Sequence, residues 1–362
     1  MHESVVVTVA GQPFDGWEKI SVTGSVKEAC RAMHLEFPDS LGSPRWPSIF
    51  SGQPQASVTA GGELIFTGYV DLRAPRIGPR FLVTIGARSK AQDAVDCTVD
   101  HTKPDYVQRN VHDVAQDQDR FGIGFACDFQ PDGFDRWRPN PGDPLFHALR
   151  PLCEDEDATM AGQPDGSVKI TRAGASAEPQ AGTIVEGVNI WEGGAVFDDC
   201  GQHSKIRAHG QSYRDTGAQA TQMVGEADNS NVARLRPLDL HHDRHTSRDR
   251  LKRLAKRRRD KEQGEGIRAE FRMRGWRDSG GMLWTPGKKV WVQSASLDLS
   301  QYMLIESVMY EQSAGGGGEG ECGPEGGTIA HLHCVDPRAH GGKGGGVNKS
   351  GGGWGFDDSD PT

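Results

Sequence analysis

"SGQPQASVTAGGELIFTGYV" (residues 51–70), followed after a short break by "RFLVTIGARSK" (residues 80–90), is the stretch on which the fold turns. Gly61 and Gly62 stand between two runs rich in alternating β-branched residues, the pattern of a hairpin. The returning run ends near Tyr69-Val70, and a lone alternating strand comes next. The same layout recurs far downstream. "PGKKVWVQSASLDLSQYMLIESV" (residues 286–308) has a glycine turn, an outgoing strand and a return ending in Ser307-Val308, and "TIAHLHCVDPRAH" (residues 328–340) supplies the lone strand. Trp17 precedes the strands of the first copy as Trp191 precedes those of the second. The letters differ but the order is kept, which predicts two copies of one β unit in a single chain.

Working outward, "SVVVTVAG", "EKISVTGSV" and "AMHLEF" read as further strands of the first unit, separated by the turn chemistry of "GQPFDGW". From about residue 102 the pattern changes. Val107, Val111 and Val114 fall at helical spacing, and "GDPLFHALRPLCEDEDA" predicts a helix with Asp143 as N-cap and Pro144 in its first position. "GQPDGSVKITRAG" closes the region as a hairpin. β character returns at "GTIVEGVNIWEGGAVFDDCGQHSKIRAHGQ", and residues 211–230 carry little pattern. "SRDRLKRLAKRRRDKEQ" has only Leu251, Leu254 and Ala255 as a thin apolar stripe and predicts a basic amphipathic helix.

The expected fold class is therefore α+β, mainly β, with two related β-barrel-like units. The first spans 1–100, an α+β insert 101–176, and the second unit 177–236 with 287–340. That second unit is split by an inserted basic helix and strand segment at 237–286. A Gly-rich flexible tail of low apolar content follows over 341–362.

The bulk properties exclude several classes. A chain of 362 residues predicts two to four domains. A net charge of -9 argues against a general nucleic-acid binder. No apolar run reaches the ~20 residues of a membrane span, and "MHESVVVTVAG" lacks the basic-then-apolar order of a signal peptide. Seven cysteines without a CxxC pair suit free thiols in a reducing cytoplasm, with Cys322 and Cys334 the pair best placed to oxidise.

Sites of chemistry are scarce. "GGKGGGVNKS" has Asn348 where a phosphate loop needs glycine, and no strand and helix flank it. His331 and His333 would share one face of a strand while Cys334 points the other way, so a metal site is not expected there or in "HHDRH" (241–245). "CEDEDA" (153–158) reads as a solvated helix end. The basic run reads as a solvated helix or one docked on acidic protein, with DNA phosphates as the rival. No acid pair, GxSxG or HExxH places catalysis in the chain. "GARSKAQDAVDC" (86–97) gathers Arg88, Lys90, Asp93, Asp96 and Cys97 in one turn. Local or cross-subunit pairing of Arg88, Lys90, Asp93 and Asp96, with Asp93 capping a short helix and Cys97 buried, makes it a structural corner.

These pieces, taken in order, resemble the baseplate hub family of Mu-type contractile-tailed bacteriophages (the Mu-like tail protein P family). "VTVAGQPFDGWEKISVTGSVKEACRAMHLEF" is similar to the family's opening. "IFTGYVDLRAP" and "VTIGARSKAQDAVDC" resemble its Thr-Gly-Tyr strand and Arg-Ser-Lys corner, and "RGWRDSGGMLWTPGKKVWV" and "YMLIESVMYEQS" its C-terminal half. The two histidines of "TIAHLHCVD", the long loop before it and the tail after it depart from the pattern. The resemblance implies a structural virion protein without catalysis or cofactor. It implies a homotrimer that joins a central spike protein to the tail tube or tube-initiator proteins, with tape-measure protein and baseplate wedge as further neighbours. It places the protein in the tail baseplate, assembled in host cytoplasm, with no membrane and no small-molecule substrate. A tail-tip cell-wall-degrading enzyme and a DNA-contacting component acting through the basic helix are the alternatives.

Overall fold

The computed structural model describes residues 3–100, 102, 105–211, 223–313 and 327–344, without the side chains of 243–245. The N-terminal part builds β1 (Val5–Val9), β2 (Gln12–Phe14), β3 (Lys19–Ser25), β4 (Ala32–Pro38), α1 (Trp46–Phe50), β5 (Gln55–Ala60), β6 (Glu63–Arg76), β7 (Leu82–Ser89) and α2 (Gln92–Asp96). Alternation decides which side each strand buries. Ile20 and Val22 on β3, Met33, Leu35 and Phe37 on β4, and Val83 and Ile85 on β7 are all fully buried, while the residues between them face out. Gly61 and Gly62 close the β5–β6 hairpin with positive φ, as its turn requires.

The middle region contains β8 (Tyr106–Arg109), α3 (Val111–Asp117), β9 (Phe125–Cys127), β10 (Phe134–Trp137), α4 (Leu145–Asp155), β11 (Thr159–Gly162) and β12 (Val168–Thr171). It has its own core, from Val111, Val114, Leu145, Leu149, Val168 and Ile170. Asn110 and Asp113 form a reciprocal capping box at α3. Helix α4 begins one residue later than expected: Pro144 is the N-cap and Asp143 contributes no cap bond.

The remainder comprises β13 (Ile184–Val185), β14 (Ile190–Phe197), β15 (Lys205–Gln211), β16 (Met223–Asp228), β17 (Pro237–His245), α5 (Arg248–Glu265), β18 (Ile267–Arg274), β19 (Lys289–Ser294), β20 (Leu299–Ser313), β21 (Thr328–Val335) and a 3-10 turn at Pro337–His340. Here the strand at 267–274, grouped from sequence with the basic helix, belongs to the large sheet beside β21. The helix instead packs on a separate three-stranded sheet, β16-β15-β17. Leu251 and Ala255 bury against Ile206, Ala208 and Met223 there. Gly225 permits the closest approach, since a Cβ on it would stand 2.3 Å from the Leu251 carbonyl carbon.

The large sheet runs β14-β18-β21-β20-β3-β4-β7-β6-β5-β1-β2, with β19 also on β20. It contains two runs of strands in the same order, but β15 and β16, grouped from sequence with the second unit, lie outside it because β15 pairs with β16 and β17. The order β5-β6-β7-β4-β3 in the first copy is matched by β19-β20-β21-β18-β14 in the second. The correspondence holds at single residues. A bulge in the β6–β7 ladder falls between Val70 and Leu72, and one in the β20–β21 ladder between Ile305 and Ser307. Val70 N donates to Pro54 O as Ile305 N donates to Lys288 O, and Ser89 N donates to Arg31 O as Asp336 N donates to Ile267 O. The copies join where β3 pairs antiparallel with the C-terminal half of β20. Their apolar faces, including Ile20, Leu35, Phe66, Phe271, Trp276 and Val308, form one core.

Arg31 fastens the middle region to this core. It is 5% exposed, donates from Nε to Gly162 O and from Nη1 to Ile65 O, and has no carboxylate bonded to it among the described residues. Burial lowers its pKa. Charged donors to carbonyls stabilise by about 1.5–3 kcal/mol each, offset in part by desolvation of the guanidinium. Arg31→Met is expected to cost about 2 kcal/mol. The measurement is amide exchange, which should rise across 159–171 before it rises in β3 or β4. Equal protection of that hairpin in both proteins would refute the role.

Candidate functional site

Each copy of the repeat ends in a corner held by the acid that its bulge re-aims. In the first copy the acid is Asp71, which accepts from Arg88 Nε at 2.7 Å. Arg88 also donates through Nη2 to Asp96 Oδ2 at 2.6 Å, so β6, β7 and α2 are tied through one guanidinium. Both carboxylates hold the Arg88 proton more firmly than usual. The Arg88 side chain is 41% exposed. Ion pairs this wet contribute at most about 1 kcal/mol and weaken with salt. Arg88→Gln should therefore lower stability by less than about 1 kcal/mol, and the difference should shrink in 1 M salt. A salt-independent loss several times larger, read from urea melts at both ionic strengths, would mean the corner is buried by something else.

The second copy replaces Asp71 with Glu306, and here the acid and its His340 partner are buried while Lys27 reaches in from the surface. Glu306 accepts from His340 Nε2 at 2.9 Å and pairs with Lys27, while His333 Nδ1 stands 3.7 Å away. Burial alone would raise the Glu306 carboxyl, but the bonds from His340 and Lys27 prevail and hold it at about 2. Five residues along β20, Glu311 pairs with His331 and Lys19, which together bring it to about 2 against a smaller rise from burial.

Four parts of the molecule meet at residues 336–342. Asp336, fully buried, caps the 3-10 turn through Arg338 N and holds the Arg338 guanidinium. Arg338 reaches Gln263 on α5. Gly174 N, from the middle region, donates to His340 O. Val26 N, from the first copy, donates to Glu306 O. Apolar contacts among Val26, Ala173, Leu304, Val335 and Ala339 fill the space between.

Helix α5 meets the acidic end of α4 within the same chain. Arg257 Nη1 donates to Asp155 O; burial and the nearby Arg172 lower its pKa, and the charges of Asp157 and Glu156 only partly oppose them. The Cys153–Ala158 run is thus a counter-surface for the basic helix; Cys153, Glu156 and Ala158 are buried, which corrects the solvated end expected from sequence. Elsewhere on the helix, Arg258 bonds Glu262, and Arg259 bonds Asp260 and Asp228 O.

The other sequence candidates scatter. Lys90 lies with its stem over Gly166 of the β11–β12 turn and helps to lower the Asp165 carboxyl. Asp93 does not cap α2: Ala91 is the N-cap, in helical φ/ψ without a side-chain bond, because the chain enters the turn already coiled. Cys97 is exposed rather than buried, since the backbone turns extended there and carries its side chain outward. His331 and His333 share the outer face of β21 and Cys334 is buried behind it, as strand alternation required. Burial pushes the Cys334 thiol up, which disfavours its oxidation, and Cys322 lies outside the described residues, as do most of the 314–327 loop and the tail from 345. His241 stacks on His209 at 5.5 Å. Among the described residues no three His, Cys, Asp or Glu converge to hold a metal ion, and no helix is long and apolar enough to cross a membrane. Sequence reasoning missed the Glu306 cluster, whose one local signal is an acid beside a bulge.

Comparison with known proteins agrees with this architecture. Residues 4–80 match the family model described as Mu phage baseplate assembly protein GpP-like, N-terminal. Over 319 residues the chain is 22% identical to the baseplate hub protein gp44 of Escherichia phage Mu, covering 84% of this chain and 81% of that one. The 43 kDa tail protein of prophage MuSo2 from Shewanella oneidensis superposes with a TM-score of 0.78 at 22% identity, over 93% of this chain and 99% of that one. A tail protein from Neisseria meningitidis MC58 does so with a TM-score of 0.76 at 16% identity, over 94% and 99%. The fold is that of phage tail proteins, built from β units and structural corners. Within that class the chain is similar, in its first 80 residues to the Mu-type baseplate family model and over most of its length to the Mu hub protein, to the proteins that the sequence resemblance pointed to.

Proposed function

We propose that three copies of this chain form a ring that joins the central spike to the distal end of the tail tube. The observation that carries the reading is the repeated strand order, with bulges and corner bonds in register. A threefold ring of chains with two like units each presents six similar faces, so it can bond a sixfold tube on one side and a threefold spike on the other. The non-repeated parts, the middle region and the β15–β17 sheet with α5, are free to serve the threefold side. Arg88 with Asp71 and Asp96 serves this scaffold as a structural corner, to which Lys90 and Asp93 add no side-chain bond among the described residues. The role is architectural, without catalysis, in the virion baseplate after assembly in host cytoplasm. Tube or tube-initiator proteins are the partners on one side and the spike on the other, with tape-measure protein and wedge nearby. Docking of α5 on the acidic end of α4 supports a packing role for the basic helix rather than DNA contact.

Native mass spectrometry of the purified protein tests the reading. The expected species is three times the 39.3 kDa chain. A stable dimer, or a hexamer of chains, overturns it.

A further inference from the structure

The repeat leaves two strand edges unpaired among the described residues, and we propose that they pair with each other between two copies of the chain. Resting on the ring reading above, the inference assigns the seam: β14 of one copy adds antiparallel to residues 72–77 of its neighbour.

In the second unit, one edge of β20 holds β19 on its first half and β3 on its second. In the first unit the equivalent strand, β6, holds β5 along its first half, through Tyr69. The rest of that edge has no strand on it. Likewise β3 is paired on both sides, by β4 and β20, whereas its equivalent β14 is paired only with β18 and ends the sheet. The missing strand in one place and the spare strand in the other are the same element of the repeat. A single chain cannot satisfy both. A second copy can.

The register follows from the intrachain seam. There Ser307, Met309 and Glu311 stand opposite Ser25, Thr23 and Ser21. Bulge alignment equates Ser307 with Leu72, and the β4 and β18 ladders equate Thr23 with Val196. The seam between copies is then Leu72 opposite Asp198, Ala74 opposite Val196 and Arg76 opposite Gly194. Side chains on these edges suit cover: Leu72 is 51% exposed, Ile77 78%, Val196 55% and Phe197 51%. Bare apolar strand edges of this kind are unusual unless something covers them. Backbone direction agrees on β14, while on the facing edge Pro75 points outward without an N–H and offers Ala195 only its carbonyl. Asp198 N donates inward to Gly266 O, so alternation turns the N–H groups of Ala195 and Phe197 toward the open edge.

The test is disulfide trapping in the full chain, with Cys97, Cys200 and Cys322 replaced by serine. Ala74→Cys combined with Val196→Cys should give mostly dimer and trimer bands on a non-reducing gel, against a trace for either single variant. Ala74→Cys with Gly194→Cys, two residues out of register, should trap several-fold less. A native trimer in which the off-register pair traps better, or neither pair traps, overturns the seam and leaves the hub reading standing. A monomer overturns both. Ala195→Pro, which deletes an N–H facing the open edge, provides a second arm. It should release folded monomers with unchanged circular dichroism, and a persistent trimer counts against the proposal.

Discussion

Gly264→Ala is expected to destabilise the protein by about 3 kcal/mol or more, although alanine is the better helix former by about 1 kcal/mol. Gly264 lies in the last turn of α5, and a Cβ there would stand 2.1 Å from Ala339 N and 2.6 Å from the Arg338 carbonyl carbon. Both obstacles are backbone, so nothing flexible can yield. The 3-10 turn would have to leave the helix, taking with it the Arg338–Gln263 bond and loosening His340 from Glu306. Gly201→Ala is the control, because no atom lies within 4 Å of its added carbon. Thermal melts of the two variants beside the parent measure the effect. A Gly264→Ala protein as stable as the control would mean that the turn is not seated on the helix in solution.

Acid should weaken the second unit through Glu306. Its folded pKa of about 2 lies below the ordinary value of 4.5, so the cluster's contribution is complete above that ordinary value. It is lost as pH falls from about 4.5 towards 2. A displacement of this size corresponds to about 3 kcal/mol for a buried group. Glu306→Gln should remove most of this at pH 7, leaving Lys27 and His340 without their carboxylate. The gap between parent and variant should then close as pH approaches 2. Glu311, held at about 2 by His331 and Lys19 and more exposed, should add a smaller loss over the same range. Urea unfolding at several pH values reads both, and a gap that stayed constant down to pH 2 would rule out the linkage.

Much of the large sheet was legible because hairpins announce themselves locally. Gly61-Gly62, the alternating strands and the echo at 286–308 are short-range signals, and the repeat supplied the long-range pairing that alternation cannot. The β15–β17 sheet was harder to see. "PLDLHHDRH" opens on proline and ends in charges, so its Leu238 and Leu240 did not stand out, and "MVGEAD" is too short to carry a period. β18 was grouped with α5 because the two adjoin in sequence, while the partners that define it, β14 and β21, lie far away along the chain. At the corner 88–96, Arg88 and Asp96 are close enough in sequence for their bond to be legible there. Asp93 and Cys97 were misjudged because caps and exposure depend on the φ/ψ of two residues. The Glu306 cluster draws on Lys27, Glu306 and His340, and no window of sequence contains all three.

The pairing of β3 with β20 also sets an order of events. These partners lie about 280 residues apart, so loop closure is slow and contact order high. On the ribosome β3 emerges early and then waits, its edge bare, through synthesis of the middle region, β15–β17 and α5. During that interval the nascent edge can pair with the wrong strand, including β3 or β20 of another chain on the same messenger. Chains interrupted before residue 313 keep that edge permanently open. Expression yield should accordingly depend on elongation and chaperone supply more than on the stability of the finished fold.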